Sequence, residues 1–411
     1  MAMGLNRRRV LSGLGAASVA GIAGCIGGDN GSGGDADAMV GVLQPVTGDL
    51  GNLGGPIRDA AILPGTQLEN EGVDFEIDIR EEDTESTADA GVSGAQSLVD
   101  AGYPAITGAA SSQVTITVAE DILIPNGVVG ISPASTAPTI TDLEDDDYIF
   151  RTCPSDALQG EVMAEVAYEE RGLESAASFY LNNDYGQQLS DSFVGAFEDL
   201  GGEVTETVGF EAEQPSYTSA LESALADDPD MMIVIGYPAS GEQIFRDYYS
   251  EFDTGQTIMV TDGLRDGDLP GNVDNAMENV VGTAPLAAGP EEDAFNQLYQ
   301  DEYGSEPGVF TAQAYDATAV NILASIAAGE TTGSAIRDSL RDVANPDGED
   351  VGPSNLADAI QMVDDGDAVN YQGASSSVNF DDNGDMQAVT YEIFEFSEDG
   401  LETVEEIDFE A

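Results

Sequence analysis

From Met39 onward, short apolar runs alternate with longer stretches whose apolar positions recur at helical spacing. MVGVLQP (39–45) reads as a strand, Gly54 to Asn70 as a helix, FEIDIRE (75–81) as a strand with alternating faces, and Asp89 to Ala101 as a helix. AITGAAS (105–111) and VVGIS (128–132) are two further strands. After Asp147 the pattern restarts. Ser155 is placed to cap a helix whose Leu158, Val162 and Val166 share one face, and Leu189, Phe193, Phe197 and Leu200 line another helix. The strands ASFYL (177–181), MMIVIGY (231–237) and TIMVTDG (257–263) follow, the second apolar enough to be buried on both faces. Alternation of this kind predicts parallel sheets flanked by helices, in two α/β units of similar size.

Composition changes the picture in two ways. Against 79 acidic residues the 411-residue chain sets 11 basic ones, all Arg, for a formal charge of −68, while 41% of its residues are hydrophobic. A core is therefore available, but the surface charge needs screening. At about 1 M salt the Debye length is roughly 3 Å, short enough to silence repulsion between separated carboxylates. The composition resembles that of halophilic archaeal proteins, and it argues against nucleic acid as a partner. The chain also lacks Lys, His and Trp. Without Lys and His there is no Ser-His-Asp triad, Cys-His pair, Schiff base or His metal site, which leaves only carboxylate chemistry for an enzyme. The expectation is a protein that is not an enzyme and uses no cofactor or metal.

The N-terminus reads as an address. Arg7, Arg8 and Arg9 precede an uncharged Ala/Gly-rich run that ends at Ile22-Ala23-Gly24-Cys25, resembling a twin-arginine export signal (1–24) with a lipobox that leaves Cys25 for lipid attachment. The run from Val10 to Gly24 is 15 residues, short of the ~20 that cross a bilayer. Residues 25–37, rich in Gly, Asp and Ser, form a tether. With Cys25 taken by lipid, Cys153 has no disulfide partner.

Small hydroxyls cluster after the strand at 128–132, in GISPASTAP (130–138), where either a capped turn or a ligand shelf fits. The Gly-rich TGDLGNLGGP (47–56) reads equally as a tight turn entering a helix or as backbone N–H groups offered to a ligand. FDDNGD (380–385) spaces its acids like a calcium loop, but Met386 stands where that loop needs Gly, so it reads as a hairpin turn with a solvated acidic face. REED (80–83) and DLEDDD (142–147) read as salt-solvated surface.

Taken in order, ITGAASS, GISPASTAP, FRTCPSD, NNDYG, IGYP, VTDG, AYDA and NFDDNGD resemble the leucine/isoleucine/valine-binding proteins of ABC importers, over nearly the whole chain after the tether. The resemblance implies a type I periplasmic binding protein fold: two lobes, 38–153 plus 286–376 and 154–285 plus 377–411, joined by three hinge crossovers. It implies an amino acid held between them, and permease and ATPase subunits as partners. Carried over, Ser112 and Thr136 give hydroxyls to the ligand carboxylate, with Ser135 in the same loop, and the Ala134 carbonyl accepts from the ammonium. Asp262 stands where the family uses a Glu for that ammonium, Tyr185 and Tyr237 close over the ligand, and Leu53 replaces an aromatic of the side-chain pocket. The implied product is a lipid-anchored receptor outside the cell for a branched-chain or aliphatic amino acid. The same fold with an amide, urea or other small polar ligand, or a ligand sensor, is the alternative. No membrane span follows Gly24 to carry a signal.

Overall fold

The computed structural model describes residues 36–252, 255–344, 348–397 and 400–410. The export signal, Cys25 and most of the tether lie outside the described residues. Strands β1 (Ala38–Gln44), β2 (Ile77–Asp83), β3 (Ala105–Gly108), β4 (Val129–Ser132) and β5 (Ile149–Arg151) form one parallel sheet in the order β2-β1-β3-β4-β5. A second sheet is built from β6 (Ser175–Leu181), β7 (Glu203–Phe210), β8 (Met231–Ile235), β9 (Thr257–Val260) and β10 (Val280–Leu286). After β10 the chain forms a short separate pair, β11 (Glu349–Val351) and β12 (Val369–Tyr371), and the C-terminal hairpin β13 (Ala388–Ser397) and β14 (Gly400–Glu410) then completes the second sheet as β14-β13-β10-β9-β8-β6-β7. Every residue of β1 and β8 is buried, as their unbroken apolar runs require of strands covered by helices on both faces.

Each sheet with its helices is a lobe, and the chain passes between the lobes three times: after β5, after β10 and before β13. The first passage leads into the helix Asp156–Glu165, capped by the Ser155 hydroxyl on the Ala157 N–H. The second leads into Glu292–Tyr303 and then Thr311–Ala328, a helix buried along nearly its whole length and packed on both the first sheet and the helix Gly51–Glu71. Small residues let it approach closely, and several of its polar side chains are paired. Thr318 meets the Thr107 hydroxyl at 2.8 Å. Asp316, fully buried, accepts the Tyr371 hydroxyl (2.9 Å), the Ala374 and Ser375 amides (3.0 and 2.8 Å) and the Ser375 hydroxyl (2.6 Å). That carboxylate thereby fixes the start of the third passage, since a buried charge is tolerated only when its lone pairs are taken.

The expected elements are present, with FEIDIRE shifted two residues onward to Ile77–Asp83. No helix among the described residues is long and apolar enough to cross a membrane.

Candidate functional site

The lobes face each other across loops that leave the C-terminal ends of their parallel strands, where an open α/β sheet places its ligands. After β1 the Gly-rich segment is a turn into the helix Gly51–Glu71, and several of its amides are already used. Asp83 accepts the Val46 and Thr47 N–H groups and the Thr47 hydroxyl, and the Ser86 hydroxyl accepts the Leu50 N–H. A Cβ on Gly54 would stand 1.9 Å from the Pro45 carbonyl oxygen, so only Gly lets the helix start fold back on the strand. Asp83 is thus the clamp of this loop rather than solvated surface. What the loop presents to the cleft is apolar: Leu50 and Leu53.

The loop after β4 is held from beneath by Arg151. Its side chain is wholly buried, and its Nη1 donates to the carbonyls of Ser135 (3.4 Å), Thr136 (3.1 Å) and Ala137 (3.2 Å). Nε and Nη2 grip Asp385 at 2.6 and 2.9 Å, and Nη2 also donates to the Thr141 hydroxyl at 2.7 Å. FDDNGD is a tight turn closed by a Phe380–Met386 bridge, as expected, but Asp385 is the counter-ion of Arg151 and not part of a solvated face. Asp381 spends its carboxylate on the Asn383 and Asp385 amides.

Leu53, Ser112, Ala134, Tyr185, Tyr237 and Asp262 line one cavity, together with Leu50, Ile57, Ala110, Gly263 and Phe310. Its cavity volume is about 20 Å³. Ser112 opens a helix, Ser112–Val118, and its Oγ accepts the Ala137 N–H at 3.2 Å, which leaves its hydroxyl proton free to donate into the cavity. Tyr185 and Tyr237 stack with ring centroids 5.5 Å apart and planes 5° from parallel. The Tyr185 hydroxyl lies 2.7 Å from the Thr261 hydroxyl and 3.2 Å from Asp262 Oδ1, and Tyr237 donates across the cleft to the Ser111 hydroxyl at 3.3 Å. Gly263 makes room for this arrangement, because a Cβ there would come within 2.4 Å of the Gly236 carbonyl oxygen.

Ser135 and Thr136 do not line the cavity. The Ser135 hydroxyl points into the first lobe, bonded to the Ala109 and Ala110 carbonyls (3.0 and 3.1 Å) and to the Thr115 hydroxyl (2.7 Å). Thr136 is buried beneath the loop, where its hydroxyl finds no partner of full hydrogen-bond geometry. The sequence places the hydroxyls correctly on the loop but says nothing of the side to which each one turns.

Below the cavity floor lies a concentration of acceptors. Burial pushes the Asp262 carboxyl up to about 6, against the Gln159 and Tyr185 side chains that favour its charge. Asp156, whose amide donates to the Thr136 carbonyl at 2.8 Å, has a carboxyl raised well above the ordinary range, first by burial and then by the Asp262 charge. The nearby Thr136 hydroxyl opposes the shift, yet neither Asp156 oxygen makes a full hydrogen bond, and the Gln159 Oε1 is likewise unpartnered. Two acids thus share one buried place, and the carboxyls of both are raised by it. Asp156 escapes the sequence reading because it is one of 79 acids. Phe310 escapes it too: it closes the apolar end of the cavity from a left-handed backbone (φ +62°) that bulky residues rarely adopt.

A hydroxyl donor at one end, a buried carboxylate at the other and an aliphatic wall between two lobes define a solute-binding protein. The chain belongs to the periplasmic binding protein family, whose pattern matches residues 38–369. Among its relatives, the chemotactic signal transduction system substrate-binding protein BasB of Halobacterium salinarum is 27% identical over 89% of this chain and 88% of its own. A leucine-binding protein from Thermotoga maritima superposes with a TM-score of 0.76 at 25% identity, over 90% of this chain and 98% of its own. A solute-binding protein from R. palustris solved with benzoate shares the fold at 17% identity and TM-score 0.72, over 90% of this chain and 95% of its own.

Removing the guanidinium should undo the loop after β4. Arg151→Met strands Asp385 and three inward-turned carbonyls, at a cost of about 3 to 5 kcal/mol in unfolding free energy. Arg151→Lys keeps the charge but not the fork, so it should recover stability only in part. Denaturant titrations at fixed high salt measure both, and an unchanged midpoint for Arg151→Met would contradict the assignment. The pH dependence follows from Asp262. An ammonium ligand needs that carboxylate ionised, so binding below about pH 6 must expel a proton. Affinity should then fall by up to about tenfold per unit as pH drops from 6 to 5 and be level above 7. A flat profile from pH 5 to 8 would exclude Asp262 as the cation's partner.

Proposed function

We propose that this chain is the extracytoplasmic substrate-binding protein of an ABC importer, capturing a branched-chain or aliphatic α-amino acid by closure of its two lobes. The observation that carries this reading is the polarity of one cavity: Ser112 offers a proton for a carboxylate, Asp262 and the Ala134 loop offer acceptors for an ammonium, and Leu50, Leu53, Ile57 and Phe310 receive an aliphatic side chain. Asp156 adds two acceptor oxygens without hydrogen-bond partners beside Asp262. The leucine-binding relative from Thermotoga maritima supports the ligand class. A neutral amide or urea has no use for a buried carboxylate, which is why these rank second. Closure follows because only a ligand touching both lobes differs in affinity between open and closed forms. Export by the twin-arginine signal and anchoring through a lipid on Cys25 belong to the same proposal and hold the receptor beside its permease.

A second reading keeps the ligand and changes the listener. The likeness to BasB, over most of both chains, supports a receptor that reports to a chemotaxis transducer. Uptake of labelled leucine and swimming toward leucine, compared in cells lacking this protein, separate the two.

The ligand reading is tested by substitution. Asp262→Asn removes the ionised partner of the ammonium and should cost roughly 2 to 5 kcal/mol, about 30-fold to several-thousand-fold in affinity. Ser112→Ala removes one charge-assisted bond, about 1.5 to 3 kcal/mol. Titration calorimetry with leucine in molar salt gives both. If Asp262→Asn binds as tightly as the parent, the ammonium site is wrong and the amide or urea reading replaces it.

A further inference from the structure

The helix Pro238–Glu251 of the second lobe begins with an unsuitable cap. Tyr237 occupies the cap position and gives no side-chain acceptor to the first turn, and Pro238 follows it. The amides of Ala239 and Ser240 are therefore left for an outside partner, since a helix start always exposes donors that its own turns cannot satisfy. That partner comes from the other lobe. Asp49, on the turn after β1, accepts the Ser240 N–H at its Oδ1 (2.7 Å) and the Ala239 N–H at its backbone carbonyl (3.3 Å). Asp49 is buried, and its second carboxylate oxygen has no hydrogen-bond partner. The Ser240 hydroxyl accepts the Glu213 N–H at 2.9 Å on its own side of the cleft, and its proton faces the Asp49 carboxylate, which it stabilises. Nearby, Asn52 of the first lobe donates to Asp266 of the second at 3.1 Å.

We infer that Asp49 is a helix cap supplied in trans, a clasp that forms when the lobes close and holds them closed without touching the ligand. The chemistry suits the task. A carboxylate is among the best acceptors for the second and third amides of a helix, and the positive end of a 14-residue helix adds to the attraction. An open form breaks both bonds at once and leaves the helix start uncapped. The clasp therefore adds to the closed state and leaves the choice among ligands alone. Asp49 is a positioning residue, because it lines no part of the cavity. The inference rests on the binding-protein reading for its purpose but not for its test.

The test uses the full chain with Cys25→Ser and spin labels at Asp89→Cys and Ser250→Cys, two exposed positions on opposite lobes. Distance distributions are recorded in molar salt, without ligand and with about 10 mM leucine as an arbitrary excess (on the order of 10⁴ times a micromolar Kd). Asp49→Ala should lower the closed-to-open ratio by roughly five- to thirtyfold, the effect of losing a good cap. Asp49→Asn, which keeps an acceptor oxygen, should restore most of it. Stopped-flow leucine binding should show a faster off-rate with an unchanged on-rate, and the order of preference among leucine, isoleucine and valine should not move. Equal distributions in the parent and in Asp49→Ala overturn the clasp, as does an Asn variant no better than Ala in a folded protein. If leucine shifts nothing in the parent, the ligand proposal fails, while the comparison without ligand still decides the role of Asp49.

Discussion

One guanidinium organises the meeting place of the two lobes. Arg151 ends β5, just before the first passage between lobes, and its side chain is wholly withdrawn from solvent in a chain whose charge is otherwise almost all negative and outward. A buried cation is tolerable only when every donor is used. Here the fork is spent on Asp385 from the third passage, on Thr141, and on three successive carbonyls of the loop after β4. With those carbonyls turned inward, the Ala137 amide is left for Ser112 and the Ala134 segment for the cleft. Loop, hinge and ligand shelf therefore share a single electrostatic centre. A lysine has the charge but not the planar geometry to serve all of them.

The cleft depends on this centre for its polarity. Arg151 satisfies Asp385 and the loop, but it does not satisfy Asp156 and Asp262, which stay buried with raised carboxyl pKa values. An acidic surface in molar salt is cheap to maintain because ions screen it. A buried acid at the cavity is not screened in this way, and its burial instead raises its pKa. The negative end of the cleft is thus a different physical object from the acidic exterior, although both are written in the same residue.

Much of the fold was legible in the sequence because burial on both faces leaves an unbroken apolar run, as in β8, and because the alternation of runs with helical spacing repeats twice. The resemblance then supplied the type of site and six of the residues that line it. What stayed hidden has a common cause. Arg151, Asp156, Asp83 and Asp49 each do their work through position alone, and in a chain so rich in acids neither type nor spacing marks one carboxylate above another. Thr136, with Ser135 beside it, was carried over from the resemblance, whereas the hold of Arg151 on their carbonyls decides which way they face. Phe310 depends on a backbone angle that no local motif announces.

The central claim is that the buried acids beneath the cavity exist to receive an ammonium. Titration calorimetry in molar salt with leucine, and with 4-methylpentanoate, the same molecule without its amino group, tests this most directly. Leucine should bind, and loss of the ammonium should weaken binding by about a hundredfold or more, because the buried Asp262 is then brought against a carboxylic acid with no cation between them. Equal affinity for the two would contradict the claim.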